Sequence, residues 1–396
     1  MDCPGIMRLG RLYRARNAFT RMKKEVMSTV IVKKSSYDYQ ILKENLFVIL
    51  DSLGGKGIQR GSHVVIKPNL LAPATPEMAI CTHPLVVKIV AEYALDRGAQ
   101  VQISDSQAIG SFDRILKLSG IGEALEGLNC DIKPFTKSAN VDIGEPFGTI
   151  EIAEEAMKAD VLINLAKLKT HSQMLLTLGV KNIFGCIVGF RKPEWHMRAG
   201  IDRETFAKLL VQIYRAVNPS ITIVDGILAM DGAGPGKRGK PRYVGHIIAG
   251  TDAVAVDATI CRALEMASDS LLTNSVARGM GLFPDSIEVM GEVPHIRNFK
   301  LPKITPLIYG PRYLQGIVRK FLIQRPIADG ARCTLCGKCL QYCPAGAIDI
   351  MRGKLKFDYN SCIRCYCCIE VCPQGALDTS ETLIGKLIRR YIHRTQ

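Results

Sequence analysis

Nine of the fourteen cysteines fall between positions 333 and 372, eight of them at spacings that suit metal clusters. Cys333, Cys336, Cys339 and Cys343 are followed by Pro344, and Cys362, Cys365, Cys368 and Cys372 by Pro373. Each run sets three thiolates at close, equal spacing and a fourth slightly further on, before a proline, which is the spacing that wraps a 4Fe–4S cube. Three close thiolates loop tightly around one cube, and Gly337 eases the turn. The fourth lies beyond that loop and reaches the other cube. Cys333, Cys336, Cys339 and Cys372 are therefore assigned to one cluster, and Cys362, Cys365, Cys368 and Cys343 to a second. A zinc site needs only four ligands and would not repeat the Cys-Pro unit.

The doubled run resembles the two-cluster, bacterial-type 4Fe–4S ferredoxins. Ala345-Gly346-Ala347-Ile348 and Gln374-Gly375-Ala376-Leu377 follow the two Cys-Pro pairs and extend the repeat. The resemblance implies electron transfer through two 4Fe–4S clusters that are sensitive to oxygen, in an anaerobic setting. Cys367 is a ninth cysteine in the module and reads as a non-ligand packed near a cluster. Cys3, Cys81, Cys130, Cys186 and Cys261 are scattered and read as small buried hydrophobes.

A second group of polar residues recurs where apolar strands end, the edge at which open α/β sheets bind ligands. Lys67-Pro68-Asn69 follows one such strand and Asp105 the next. Lys167, Lys169, Thr170 and His171 follow a third, and Asp225-Gly226 and Asp231 a fourth. Gly179-Val180-Lys181-Asn182 and Gly185 lie between them. Any one of these alone reads as a cap or a surface pair; together they suggest a pocket. Lysines, asparagines and glycine amides suit a small anion, a carboxylate or phosphate. Lys169, His171, Lys181 and Asn182 are the candidate catalytic residues. Lys67, Asn69, Asp105, Lys167, Asp225 and Asp231 are the candidate substrate-binding ones. His171 or His196 is the candidate proton shuttle near neutral pH. No G-x-G-x-x-G run follows a strand, and Gly54-Gly55-Lys56-Gly57 ends a helix rather than opening one, so no nicotinamide or phosphate loop is indicated.

These side chains need a sheet to carry them. Apolar strands are expected at Val30–Val32, His63–Lys67, Gln100–Ser104, Ala159–Leu165, Ile221–Val224 and Gly245–Ala249. Helices are expected at Asp38–Leu53, Pro84–Arg97 and Ala253–Glu265. Continuous apolar strands between amphipathic helices indicate an α/β fold, a mostly parallel sheet covered by helices on both faces. It occupies 28–290. A basic extension, 1–27, precedes it, and a proline-rich basic linker, 291–327, with a short helix near Tyr313–Phe321, follows. The small α+β ferredoxin-like domain takes 328–380, and 381–396 reads as a basic amphipathic tail.

The net charge of +15 lies wholly in the two ends: residues 1–27 carry seven Lys/Arg against two acids, and 291–396 carry seventeen against seven. A basic stripe with base-reading elements is absent, so nucleic acid is not an expected partner. An acidic redox partner protein, or weak contact with an anionic membrane surface, suits the basic ends better; solvated tails are the plainer alternative. No apolar run is long enough for a transmembrane span. The cluster-spaced thiols and the lack of a secretory leader point to a reducing cytoplasm.

The α/β part resembles domain-of-unknown-function family 362, an iron–sulfur-centre family of anaerobic bacteria and archaea. The matching motifs are Lys67-Pro68-Asn69-Leu70, Thr82-His83-Pro84, Lys167-x-Lys169-Thr170-His171 and Val180-Lys181-Asn182-x-x-Gly185. Asp225-Gly226 with Asp231-Gly232-x-Gly234-Pro235, and Asp252-x-x-Ala255-x-Asp257, complete the set. The resemblance implies an α/β fold beside a ferredoxin domain and no settled reaction. Three readings follow: an iron–sulfur oxidoreductase acting on a small anionic substrate or cofactor in the pocket, an electron carrier whose α/β domain docks a partner, or a non-redox enzyme with structural clusters.

Overall fold

The structure, a computed structural model, describes residues 27–189, 191–199, 202–302 and 324–380. The basic N-terminal extension, the short helix expected near Tyr313–Phe321 and the amphipathic tail lie outside the described residues.

Nine strands form the main sheet: β1 (Met27–Lys34), β2 (His63–Pro68), β3 (Gln100–Ile103), β4 (Cys130–Ile132), β7 (Val161–His171), β8 (Leu175–Thr177), β9 (Ile221–Gly232), β10 (Gly239–Gly250) and β11 (Ser286–Met290). Their order is β11-β1-β10-β9-β7-β2-β3-β4, with β8 paired to the end of β7. The run β9-β7-β2-β3-β4 is parallel throughout, and β11 lies parallel to β1. Only β10 and β8 run against their neighbours. A separate hairpin joins β5 (Ser138–Asp142) to β6 (Thr149–Ala153).

Alternating side chains bury both faces of this sheet, as period-two geometry requires. Val64, Ile66, Ile163 and Leu165 face helices Tyr39–Ser52 and Pro84–Leu95. Val65 and Leu162 face helix Arg203–Val217, while Val224 and Ile248 face helix Ala253–Ala263. The first helix starts at its expected cap: Asp38 Oδ1 accepts from the Gln40 and Ile41 amides at 3.0 and 3.1 Å. Such a cap is worth about 1 kcal/mol.

Several strands, β7, β9 and β10 above all, run well past their expected bounds, and β4, β8 and β11 have no expected counterpart. β7 continues to His171, and β9 runs through Asp225 and Gly226 to Gly232. Each extension is held by a neighbour: β8 backs β7, and β10 pairs with β9 along nearly its full length. Asp225-Gly226 is therefore mid-strand rather than a strand end.

The cysteine module is two antiparallel pairs, β12 (Arg325–Ala328) with β15 (Leu377–Ser380) and β13 (Ile348–Met351) with β14 (Lys354–Phe357). Short helices Lys338–Gln341 and Cys367–Glu370 carry the third cysteine of each run. Each helix is entered through a left-handed residue, Gly337 at φ 72° and Tyr366 at φ 59°, which repeats the local turn at both cluster loops. The module packs on the α/β part through Ile109, which joins Cys339, Cys368, Val371 and Leu377 in one apolar core. Arg238, in the β9–β10 connection, pairs with Asp378 at 2.5 Å.

Candidate functional site

A cavity of about 320 Å³ lies at the carboxyl ends of β2, β3 and β7, and its far wall is the cysteine module. From the α/β side it is lined by Lys67, Asn69, Asp105, Lys169, His171, Lys181 and Asn182. Tyr342, Cys367, Glu370 and Val371 close it from the other side. Seven of the ten candidate pocket residues thus meet in one space. They come together because β7 exposes alternate side chains to one face, so Lys167, Lys169 and His171 share a side, and because Gly179–Asn182 forms a short helix beside it.

Burying lysines requires partners. Lys67 Nζ lies 2.8 Å from Asp105 Oδ1, and the Asp105 carboxylate also accepts from the Leu70 and Ser106 amides. Lys169 Nζ donates to Asn69 Oδ1 at 2.7 Å and to the Ile80 carbonyl at 2.6 Å. From there amides hand the network inward. Asn69 Nδ2 donates to Asn182 Oδ1 at 2.7 Å, and Asn182 Nδ2 donates to Asn164 Oδ1 at 2.8 Å. Asn164 Nδ2 in turn donates to the Gly179 carbonyl at 3.0 Å. Every member has a partner, which makes the lysine's position rigid.

Burial pulls Lys169 down to about 7 and Lys192, on helix Arg191–Ala199, down to about 8. Lys169 also feels Cys81, Lys181, Glu370 and Lys167; Lys192 feels Asp105, Lys67, Cys186 and Lys181. The cavity is therefore most positive below pH 7 and sheds charge as pH rises through that range. Burial likewise pushes His171 to about 4 and His196 to about 3, so both imidazoles are neutral at pH 7 rather than the near-neutral shuttles expected. His171 Nδ1 accepts from the Gln173 and Met174 amides, each at 3.1 Å, which places the ring proton on Nε2. That Nε2 sits 2.9 Å from Glu370 Oε1 of the cysteine module, out of line for a hydrogen bond.

Three candidates sit elsewhere. Lys167 and Asp225 form a buried ion pair at 2.7 Å, and Tyr37 Oη donates to Asp225 at 2.8 Å. Tyr37 stacks on His83 with centroids 3.5 Å apart, and the His83 amide donates to Asp225 at 3.0 Å. Both charges are consumed in locking strands to the helix starting at Pro84. Asp231 pairs with Arg242 at 3.3 Å and accepts from the Lys300 amide, so it anchors the chain leaving the sheet. Conversely, the sequence reading passed over Lys192, Glu370 and Phe184 as cavity residues. Arg191-Lys192-Pro193 reads as surface, and Glu370 reads as a filler between ligands.

Gly185 is required by space. A Cβ there would lie 2.2 Å from Asp105 Oδ1 and 2.5 Å from Lys67 Nζ. Gly185→Ala is expected to prise apart the Lys67–Asp105 pair and cost about 3 kcal/mol. Thermal melting of the iron-loaded chain reads this directly; an unchanged midpoint would mean that the pair relocates freely.

The cysteines fit clusters rather than one ion. A second, small cavity is lined by Cys333, Cys336, Cys339 and Cys372 together with apolar residues such as Leu355 and Leu377. Cys343 lies within the electrostatic reach of Cys362, Cys365 and Cys368. The assignment of these eight thiols to two separate clusters remains the expectation from their spacing. Among the described residues no three His, Cys, Asp or Glu converge on a single metal ion. A cube spreads its thiolates over four corners, so convergence is not what it requires. Cys367 is buried, lies against Cys365 and also lines the large cavity.

Fold and cysteines together define an iron–sulfur protein: residues 325–373 match the 4Fe-4S dicluster domain. Residues 64–262 match the domain of unknown function DUF362, and the chain belongs to that family. It is 35% identical over 308 residues to a thylakoid-associated protein of Synechocystis sp., spanning 76% of this chain and 96% of that one. Among solved structures it is similar to a Thermotoga maritima protein (14% identity, TM-score 0.36, 62% of this chain and 59% of that one). It is also similar to the lactate racemase apoprotein of Thermoanaerobacterium thermosaccharolyticum (14%, TM-score 0.38, 58% and 55%). The chain spans less than two thirds of either solved structure, and at these scores neither adds to the fold read from the strand order. Among the described residues no helix is long and apolar enough to cross a membrane.

Proposed function

We propose that this protein is an iron–sulfur oxidoreductase that exchanges electrons with a small anion held in the cavity between its α/β part and its cysteine module. The observation that carries this is the shared wall: Cys367 and Glu370, flanking cluster ligands, line the same space as Lys67, Lys169 and Lys181. When bound, the two 4Fe–4S clusters supply electrons singly beside that space. The lysines hold negative charge there, Asn69 and Asn182 fix Lys169, and His171 presents its Nε2 proton. Val371, Phe135 and Phe184 exclude water. The setting we propose is a reducing, oxygen-poor cytoplasm, with an acidic redox protein as the partner that meets the basic C-terminal region.

The test is reoxidation. Anaerobic, iron-loaded protein is reduced with dithionite and mixed with small carboxylates and oxyanions or with a protein acceptor. Lys169→Met and His171→Ala are expected to slow reoxidation by the effective small anion by about tenfold or more, while sparing the protein acceptor. Equal rates in wild type and variants for every small anion, with fast transfer to the protein acceptor, would favour the electron-carrier reading.

A further inference from the structure

Building on that reading of the cavity as an anion site, we infer that its ligand is a small amphipathic monocarboxylate, with Lys181 as the counter-charge and Phe184 beside its apolar body. The cavity's lysines are not equivalent. Lys67 is committed to Asp105, and Lys169 to Asn69 and the Ile80 carbonyl. Lys192 donates to the Ser106 carbonyl. Lys181 alone among these described lysines has neither a hydrogen bond nor an ion pair, and its ammonium stands 6.0 Å over the centroid of the Phe184 ring.

One uncommitted ammonium matches one negative charge. Lys169 and Lys192 donate only to neutral acceptors, so their charges add to the positive field in the cavity, which the carboxylates of Asp105 and Glu370 oppose. Beyond His171 Nε2 and Glu370 Oε1, which face each other, two further buried atoms of cavity residues lack a hydrogen-bond partner: His196 Nδ1 and Thr177 Oγ1. Their residues are 5% and 4% exposed, so water at the surface does not serve them. Unpaired polar atoms in such a place are costly unless a ligand meets them. They suit the carboxylate oxygens or a polar substituent. Phe135 and Phe184 give the rest of the cavity an aromatic lining. The volume of about 320 Å³ accommodates roughly ten non-hydrogen atoms.

Calorimetric titration of oxidised, iron-loaded protein under argon, near pH 6, below the values to which burial brings Lys169 and Lys192, compares benzoate with acetate and inorganic phosphate as probes. Benzoate is expected to bind about tenfold or more tightly than either, because it alone offers one charge and an apolar body. Lys181→Met is expected to weaken benzoate by about 10- to 100-fold and Lys181→Arg to recover most of the loss. Iron content and melting midpoint confirm that each variant is folded. If Lys181→Met fails to fold, the wild-type rank order still decides. Phosphate binding as tightly as benzoate, no benzoate binding to wild type, or a folded Lys181→Met with unchanged affinity would each overturn the inference. These are equilibria of the oxidised protein, so they fail independently of electron delivery: benzoate binding without reoxidation by any anion would sink only the proposed function.

Discussion

Cys362→Ala and Cys368→Ala are each expected to lower bound iron from about eight atoms per chain to about four after full anaerobic reconstitution. The same variants should lose the spin–spin broadening that two neighbouring reduced clusters give in low-temperature EPR, leaving the simpler signal of one. The expectation rests on the two cysteine groupings, Cys333, Cys336, Cys339 and Cys372 around one small cavity and Cys343 among Cys362, Cys365 and Cys368. Cys367→Ala is the internal control. That residue lines the large cavity, and loss of its thiol should leave iron unchanged. Wild-type iron of about four, undiminished in Cys362→Ala, would rule out the two-cluster assignment.

The second large effect is on stability. Lys167→Met leaves the Asp225 carboxylate buried without its cation, and breaking such a pair costs about 3–5 kcal/mol. For a chain of this size that is an apparent melting shift of roughly 10 °C. Burial alone would raise the Asp225 pKa. The Lys167 charge, the Lys167 hydrogen bond and the His83 amide outweigh it and hold the group below its ordinary 3.8. Because the folded value is depressed, the pair's contribution is complete above that ordinary value and is lost as acid protonates Asp225. The Lys167→Met deficit should therefore shrink in acid. A melting shift under about 2 °C at neutral pH would show that Asp225 finds another partner.

Lys167 and Lys169 show what could and could not be read in advance. Both were legible as polar residues beyond an apolar strand, and their two-residue spacing puts them on one face. Which partner each finds was not legible, because Asp225 and Asn69 lie far along the chain in opposite directions. The cysteine pattern was legible because its spacing is local, and β2, β3, β7 and β9 were legible as continuous apolar runs, whereas the short strands β4, β8 and β11 were not. The hairpin of β9 and β10 was cut short because Asp225-Gly226 resembles a turn, whereas cross-strand pairing carries the strand through it. Helix Arg203–Val217 had a readable signal in Phe206, Leu210, Ile213 and Val217, at spacings of three and four. Lys192 and Glu370 had none: a basic helix and a carboxylate between ligands look like surface until the two halves of the molecule are packed.

The wall that Tyr342, Cys367, Glu370 and Val371 give to the cavity also limits how this protein can be rebuilt. A ferredoxin grafted from elsewhere would restore the cysteine module but not the cavity wall, unless it brought a carboxylate opposite His171 and an apolar side chain beside it. The two modules are interchangeable with other parts only as a matched pair, and chimeras that preserve iron content while losing ligand affinity are the expected product of swapping one alone.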